Sequence, residues 1–254
     1  MKIATWNVNS IRQRLAHVKD WLEEARPDVL GLQEIKVVTE AFPAAEFEAL
    51  GYRCAVDGQK AYNGVALLSR TEPRDIVCGL PGFADEQKRA LAASYGDLRL
   101  LNLYVPNGQS VGSEKYEYKL RWLAALRDYL RAELDRHPNV AVMGDFNIAP
   151  EDRDVHDPEA WRGQVLCSEP ERERLGAIAA LGFADLFRRF EQPDKAFSWW
   201  DYRAAAFRRN RGLRIDLILA SPALTGRCVA CAIDSAPRGR EQPSDHTPVW
   251  ATFQ

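Results

Sequence analysis

Three apolar runs in this chain each end on hard oxygen donors: Trp6-Asn7, Leu32-Gln33-Glu34 and Gly144-Asp145-Phe146-Asn147. The first polar residue after a buried strand is ordinarily a turn or cap residue, so no one of these positions is decisive alone. Together they supply what a hard divalent cation such as Mg²⁺ takes: one or two carboxylates, with amide oxygens, waters and substrate phosphate oxygens completing the shell. Glu34, Asp145, Asn7 and Asn147 are therefore candidate donors of a site that handles phosphate. Gly144 beside the acid allows a close backbone approach.

A fourth stretch, Ser244-Asp245-His246-Thr247-Pro248, places a carboxylate and an imidazole just before the last apolar run. An isolated Asp-His pair is more often plain surface, but here it stands where a rim residue should. Asp216, in Arg214-Ile215-Asp216-Leu217-Ile218-Leu219, interrupts a strand in which a buried charge is costly without a partner. His246 is the expected partner, oriented and made more basic by the carboxylate. The alternative is a structural carboxylate satisfied by backbone or arginine. Tyr104 ends another run and precedes the turn Pro106-Asn107-Gly108. Cys228-Val229-Ala230-Cys231 has half of a zinc spacing but no second pair, and residues three apart in a strand face opposite sides, so it is read as structural.

These residues need strands to place them. Runs rich in Val, Ile, Leu and aromatics predict strands over 2–8, 28–33, 65–69, 98–105, 140–146, 215–220 and 248–253. Leu120, Leu123, Leu126, Leu130 and Leu134 recur at spacings of three and four, which predicts a helix over 113–136. A second helix is expected from Asn9 to Ala25, ending before Pro27. A third is expected from Ser168 to Gly182, opened by the cap signal Ser168-Glu169-Pro170-Glu171. No linker or low-complexity tract divides the chain, so residues 1–254 are expected to form one domain. Strands ending in polar groups in both halves suggest two similar sheet-and-helix halves, packed face to face with their sites on one rim.

With 254 residues, 46% of them hydrophobic, the chain can bury a large core. A net charge of −2 excludes a globally basic nucleic-acid binder, so any such contact must be a local patch. There is no signal-peptide core and no apolar run near the roughly 20 residues that span a bilayer, so a cytoplasmic protein with no membrane contact is expected. Five scattered cysteines suit a reducing compartment.

The ordered set Thr5-Trp6-Asn7-Val8-Asn9, Leu32-Gln33-Glu34-Ile35-Lys36, Asn102-Leu103-Tyr104-Val105-Pro106-Asn107-Gly108, Gly144-Asp145-Phe146-Asn147, Gly212-Leu213-Arg214-Ile215-Asp216 and Ser244-Asp245-His246 resembles the exonuclease III family of abasic-site endonucleases. The likeness runs from Met1 to Phe253. It implies an α/β fold, a two-layer β-sandwich flanked by helices in a four-layer αββα arrangement similar to deoxyribonuclease I. It implies Mg²⁺, with Mn²⁺ able to substitute, held mainly by Glu34, with Asn7, Asp245, Asp145, Asn147 and His246 as further members of the metal site. Asn9 stands where some members have Asp. Asp145 would activate the nucleophile or protonate the leaving group, Asn147 would position nucleophile and transition state, Tyr104 would lie beside the phosphate, and Asp216 with His246 would form the carboxylate–imidazole pair. One metal or two, and Asp145 or Tyr104 as first proton acceptor, are open at this point.

The same resemblance implies double-stranded DNA as partner, cut 5′ to abasic sites or trimmed at 3′ ends, by a monomer associated with the nucleoid. Trp199, Leu213 and Ile215 match positions that form an apolar pocket for a base-free deoxyribose, which excludes a normal nucleotide by its base. Asn107 and Gln109 lie on the substrate loop, Gln109 departing from relatives that carry an arginine there. Phe197 to Tyr202, followed by Arg203, Arg208, Arg209, Arg211 and Arg214, gives the local aromatic and basic patch that overall charge lacks. That segment argues against an inositol-phosphate phosphatase built on the same fold. A silent DNA-binding scaffold would have no need of Glu34, Asp145 and His246 together.

Overall fold

In β1 (Lys2–Asn7) residues of alternating direction serve two cores: Ile3 faces one way, while Ala4 and Trp6 face the other. The same two-sided burial recurs in β2 (Val29–Gln33), β4 (Val65–Ser69), β6 (Ala90–Tyr95), β7 (Leu98–Tyr104), β8 (Asn139–Asp145) and β10 (Asp216–Ala220). Shorter or more exposed strands complete the set: β3 (Arg53–Asp57), β5 (Arg74–Cys78), β9 (Ala184–Asp185), β11 (Cys228–Ile233) and β12 (Val249–Phe253). The helices are α1 (Ile11–Ala25), α2 (Ala44–Glu48), α3 (Glu114–Leu134), α4 (Pro158–Trp161), α5 (Glu169–Ala179) and α6 (Pro222–Thr225). The structure is a computed structural model and describes residues 1–254.

The strands form two six-stranded sheets, ordered β11-β12-β1-β2-β4-β3 and β5-β6-β7-β8-β10-β9. Each has one parallel pair at its centre, β1–β2 and β7–β8, and antiparallel neighbours on both sides. A parallel pair needs a crossover, which α1 and α3 supply. Ile3, Val29, Leu67, Leu100, Met143 and Ile218 fill the space between the sheets. Trp21 and Leu22 of α1 cover the outer face of the first sheet, and Trp122, Leu126 and Leu130 of α3 with Ile178 of α5 cover that of the second. The result is the expected four-layer α/β/β/α sandwich.

The helix starts obey local chemistry. Ser113 Oγ accepts the Tyr116 N–H at 3.1 Å, capping α3 at the start of the predicted range, and the helix ends at Leu134, two residues short of the predicted limit. The first helix begins at Ile11 rather than Asn9, because Asn9 and Ser10 take φ of 43° and 90°, outside helical space. Arg26, in the left-handed region at φ 47°, closes it before Pro27. The third helix stops at Ala179, not Gly182. Strands β3, β5, β6, β9 and β11 were not expected: β5 is an exposed edge, β9 spans two residues, and β6 is alanine-rich, buried by its position between neighbours rather than by its own bulk.

Cys228 and Cys231 correct the sequence argument. A bulge between Cys228 and Ala230 shifts the register of β11, so both thiols pack on the inter-sheet core instead of facing opposite sides. Burial pushes both thiols up in pKa, as befits inert core cysteines. No helix is long and apolar enough to cross a membrane.

Candidate active site

β1, β2, β7 and β8 end at one rim, and β10 begins there, with Asp216 opposite Asp145 and Tyr104 also paired to Asp145. Gly144 makes the register possible: a Cβ there would lie 1.9 Å from the Leu103 carbonyl oxygen. Just past the strand ends the backbone is strained. Asn9, Glu34, Lys36, Gln109 and Asn147 have φ of 43°, 56°, 58°, 60° and 49°, a region that costs a non-glycine residue on the order of 1–3 kcal/mol. Strain of this kind persists where surrounding contacts fix a functional side chain.

At the centre lies a sealed triad. Asp216 places both carboxylate oxygens on His246 Nδ1, at 2.9 and 3.1 Å, and His246 Nε2 faces Asp145 Oδ2 at 3.6 Å. All three side chains are buried, and their donor atoms lie within 4.8 Å of one another. Burial opposes charge on the imidazole, but Asp216 and Asp145 outweigh it and raise its pKa to about 10. Burial raises Asp145 to about 7, against the lowering effect of His246. The two carboxylates thus favour the charged form of the imidazole, which carries a proton on Nε2 toward Asp145.

Asp145 is held from both sheets. The Asn7 amide donates to its Oδ2 at 2.9 Å, across the interface, and the Asn147 N–H donates to its Oδ1 at 2.9 Å. Asn7 Oδ1 accepts the Asn9 N–H, which turns the side chain toward this orienting role. Asn147 donates one amide N–H to the Val105 carbonyl and accepts from Asn107, leaving its second amide N–H without a protein partner.

Glu34 stands apart from this triad. Its side chain is 21% exposed and lies 3.2 Å from Lys36 Nζ, which also donates to Asn9 Oδ1. The partly buried Tyr104 adjoins Glu34 and Asp145. Burial and these two carboxylates raise its phenol well above the ordinary value, and the Arg89 guanidinium stacks 4.7 Å from its ring centroid. Asp245 accepts from Asn9 Nδ2 at 2.9 Å and from Trp199 Nε1 at 3.0 Å. Burial pushes its pKa up, but His246 and these donors prevail and hold it below the usual range. Partly exposed Glu34 and ionised Asp245 are hard oxygen donors of the type that suits a hard divalent ion, and Asp145, Asp216 and His246 are the three groups whose donor atoms converge within 4.8 Å.

The predicted substrate residues divide. Asn107 and Gln109 line an open cleft of about 710 Å³ with Tyr62, Arg89 and Lys115, beside Tyr104. Trp199 is half-buried at the rim. Leu213 and Ile215, however, do not line an open pocket. They are 0% and 1% exposed, packed in one buried cluster with Ala149, Val155, Leu166 and Cys167, with Trp161 and Trp199 against it. Arg214 is also withdrawn from the expected basic patch: it is buried, with ion pairs to Asp154 and Asp185 at 2.7 Å. Arg203 pairs with Asp201, and Trp200 belongs to a small core with Phe197. Arg208, Arg209 and Arg211 stay exposed.

Sequence reading missed Lys36, Arg89 and Ser198, whose Oγ accepts the Ile215 and Asp216 N–H groups at 3.1 and 3.0 Å. Lys36 had a signal in its place two residues after Glu34. The other two meet the site only through the fold.

Comparison with known proteins agrees with this geometry. A sequence profile of the endonuclease/exonuclease/phosphatase family matches residues 4–246. Exodeoxyribonuclease III of Haemophilus influenzae is 40% identical, with 100% of both chains covered. A 3′ phosphatase from Neisseria, solved with a product DNA hairpin, is 44% identical with a TM-score of 0.98, over 100% of this chain and 99% of that one. An AP endonuclease from Archaeoglobus fulgidus is 42% identical with a TM-score of 0.96, again over 100% and 99%. With the profile and these relatives spanning both sheets and every strand end of the rim, the chain belongs to the endonuclease/exonuclease/phosphatase family.

Proposed function

We propose that this chain is a Mg²⁺-dependent DNA repair hydrolase that cuts the phosphodiester 5′ to abasic sites and removes nucleotides or blocking groups from 3′ ends of duplex DNA. The observation that carries the reading is the sealed Asp145–His246–Asp216 triad set beside an accessible Glu34, on a rim shared by both sheets. The nuclease and phosphatase relatives support DNA as substrate.

Water attacks phosphorus in line with the departing oxygen. Asp145 is the base: its carboxylate titrates near neutrality, as a general base working at that pH should, and both oxygens are aimed by amide donors. Tyr104, with its phenol pKa raised, keeps its proton and donates a hydrogen bond to the phosphate. Imidazolium His246 and the free amide N–H of Asn147 donate to the charge that builds on the phosphoryl oxygens. The P–O3′ bond breaks, leaving a 3′-hydroxyl and, at an abasic site, a 5′-deoxyribose phosphate. When bound, Mg²⁺ on Glu34, with Asp245 and Asn7 contributing oxygens, supplies positive charge to the same phosphate and to the leaving oxygen. Asn107 and Gln109 hold the strand beside the cleft, and Trp199 abuts the sugar. All these groups come from one chain, so a monomer suffices.

Burial of Leu213 and Ile215 favours one balance of activities. A base-free sugar reaches them only if the residues clustered around them shift, whereas hydrolysis at a 3′ end needs no such pocket. Removal of a 3′ phosphate is therefore expected to outpace incision at an internal abasic site. A duplex with one abasic analogue and a duplex with a 3′ phosphate, each incubated with Mg²⁺ and with chelator, test the reading. Mg²⁺-dependent product from both, faster from the 3′ phosphate, is expected. No Mg²⁺-dependent product from either would sink it.

A further inference from the structure

Lys119 of α3 is fully buried, and its ammonium group has three protein acceptors for its three N–H donors. One is the Glu171 carboxylate on α5. The other two are backbone carbonyls of the site: Asn107 at 3.1 Å and Asn147 at 2.6 Å. Those two residues are already joined, Asn107 Nδ2 donating to Asn147 Oδ1 at 3.1 Å. Glu171 is saturated in turn by the Leu166 and Ser168 N–H groups, both at 3.1 Å, and by Ser168 Oγ.

A buried ion pair is poor stabilisation, since well-packed apolar residues of similar volume often do as well. This one spends two of its three lysine donors on the strained turn that carries Asn147, at φ 49°, and on the loop that carries Asn107. We propose that Lys119, fixed by Glu171, is a positioning residue that sets the Asn107–Asn147 pair against the reacting phosphate. Lys119 itself touches no substrate. It ties two loops from different strand ends, after β7 and after β8, to one point, so that the free amide N–H of Asn147 faces the rim. Displacements of about 1 Å in such groups cost rate far more than binding.

The inference rests on the hydrolytic reading above and separates from it experimentally. The double variant Lys119→Met/Glu171→Gln removes both charges, keeps one carbonyl oxygen that can accept from Ser168 or from Leu166 but not from both, and leaves the two asparagine carbonyls without their donor. On a 3′-phosphate duplex its kcat is expected to fall about 30-fold, with KM within about threefold and a lowered unfolding temperature that still leaves the chain folded at the assay temperature. The single variant Lys119→Met, with Glu171 left charged and unpaired, should be the less stable of the two. A stable double variant with wild-type kcat overturns the inference while leaving the hydrolytic reading intact. A wild-type chain that cleaves nothing overturns both. If the double variant does not fold, Glu171→Gln alone decides: a kcat loss of about fivefold or more at constant KM supports positioning, and an unchanged kcat contradicts it.

Discussion

Glu34 and Asp145 end central strands of opposite sheets, and their surroundings could hardly differ more. Glu34 sits on a left-handed turn, partly in solvent, with the lysine ammonium of Lys36 at 3.2 Å. Asp145 is 1% exposed, pinned by two amide donors and facing an imidazolium that a second buried carboxylate holds in place. An open carboxylate can exchange its partner for a metal and a phosphate without breaking a packed core. A sealed one keeps a defined proton affinity. The contrast assigns electrostatic neutralisation to the first acid and proton transfer to the second.

The harshest attack on this division is Asp145→Asn, which keeps shape and removes the base. Cleavage should fall by about 10³-fold or more while binding to the duplex, followed by fluorescence anisotropy, changes little. Equal loss of both would make Asp145 structural. Glu34→Gln should cost about 10- to 100-fold at fixed Mg²⁺ and recover in part as Mg²⁺ is raised. A loss that no metal concentration repairs would move Glu34 out of the metal role. Asp216→Asn, which leaves His246 without its charged orienter, is expected to lower kcat about 10- to 100-fold with KM nearly constant.

The triad also predicts how stability responds to pH in chelator. His246 has its pKa raised from 6.5 to about 10, so the stability it contributes is fully present below 6.5 and is lost as pH rises through about 10. Chemical denaturation between pH 6 and 10 should show that loss in wild type and a flatter profile in His246→Gln. Identical slopes would mean the imidazole is not the charged member. The smallest effect is expected at the exposed arginines. Arg209→Ala/Arg211→Ala should weaken duplex binding and reduce the slope of log affinity against log salt by about 2, leaving kcat alone.

Much of this contrast was legible in residues. Asn7, Glu34, Asp145 and Asn147 announced themselves as polar groups closing apolar runs, and Asp216 as a charge inside a strand that required a partner. The two sheets followed from runs such as Val65–Ser69 and Leu98–Tyr104, whose bulk declares their burial. What stayed hidden depended on neighbours far away in sequence. Ala90–Tyr95 is a strand because β5 and β7 flank it, not because alanine favours one. Arg214 read as part of a basic patch until Asp154 and Asp185, 60 and 29 residues away, claimed it. Leu213 and Ile215 matched pocket positions, but residues some fifty to seventy positions earlier, Ala149, Val155, Leu166 and Cys167, pack with them in a buried cluster. Lys119 carries no local signal at all: nothing in the 113–136 pattern reveals that its side chain meets Glu171.

The division of labour between the two acids is tested most directly by titrating Mg²⁺ against the single-turnover cleavage rate of a 3′-phosphate duplex for wild type, Glu34→Gln and Asp145→Asn. The predicted result is a midpoint displaced to higher Mg²⁺ with a partly restored plateau in Glu34→Gln, and an undisplaced midpoint under a plateau lower by about 10³-fold in Asp145→Asn. A displaced midpoint in Asp145→Asn, with an unmoved one in Glu34→Gln, would contradict the account.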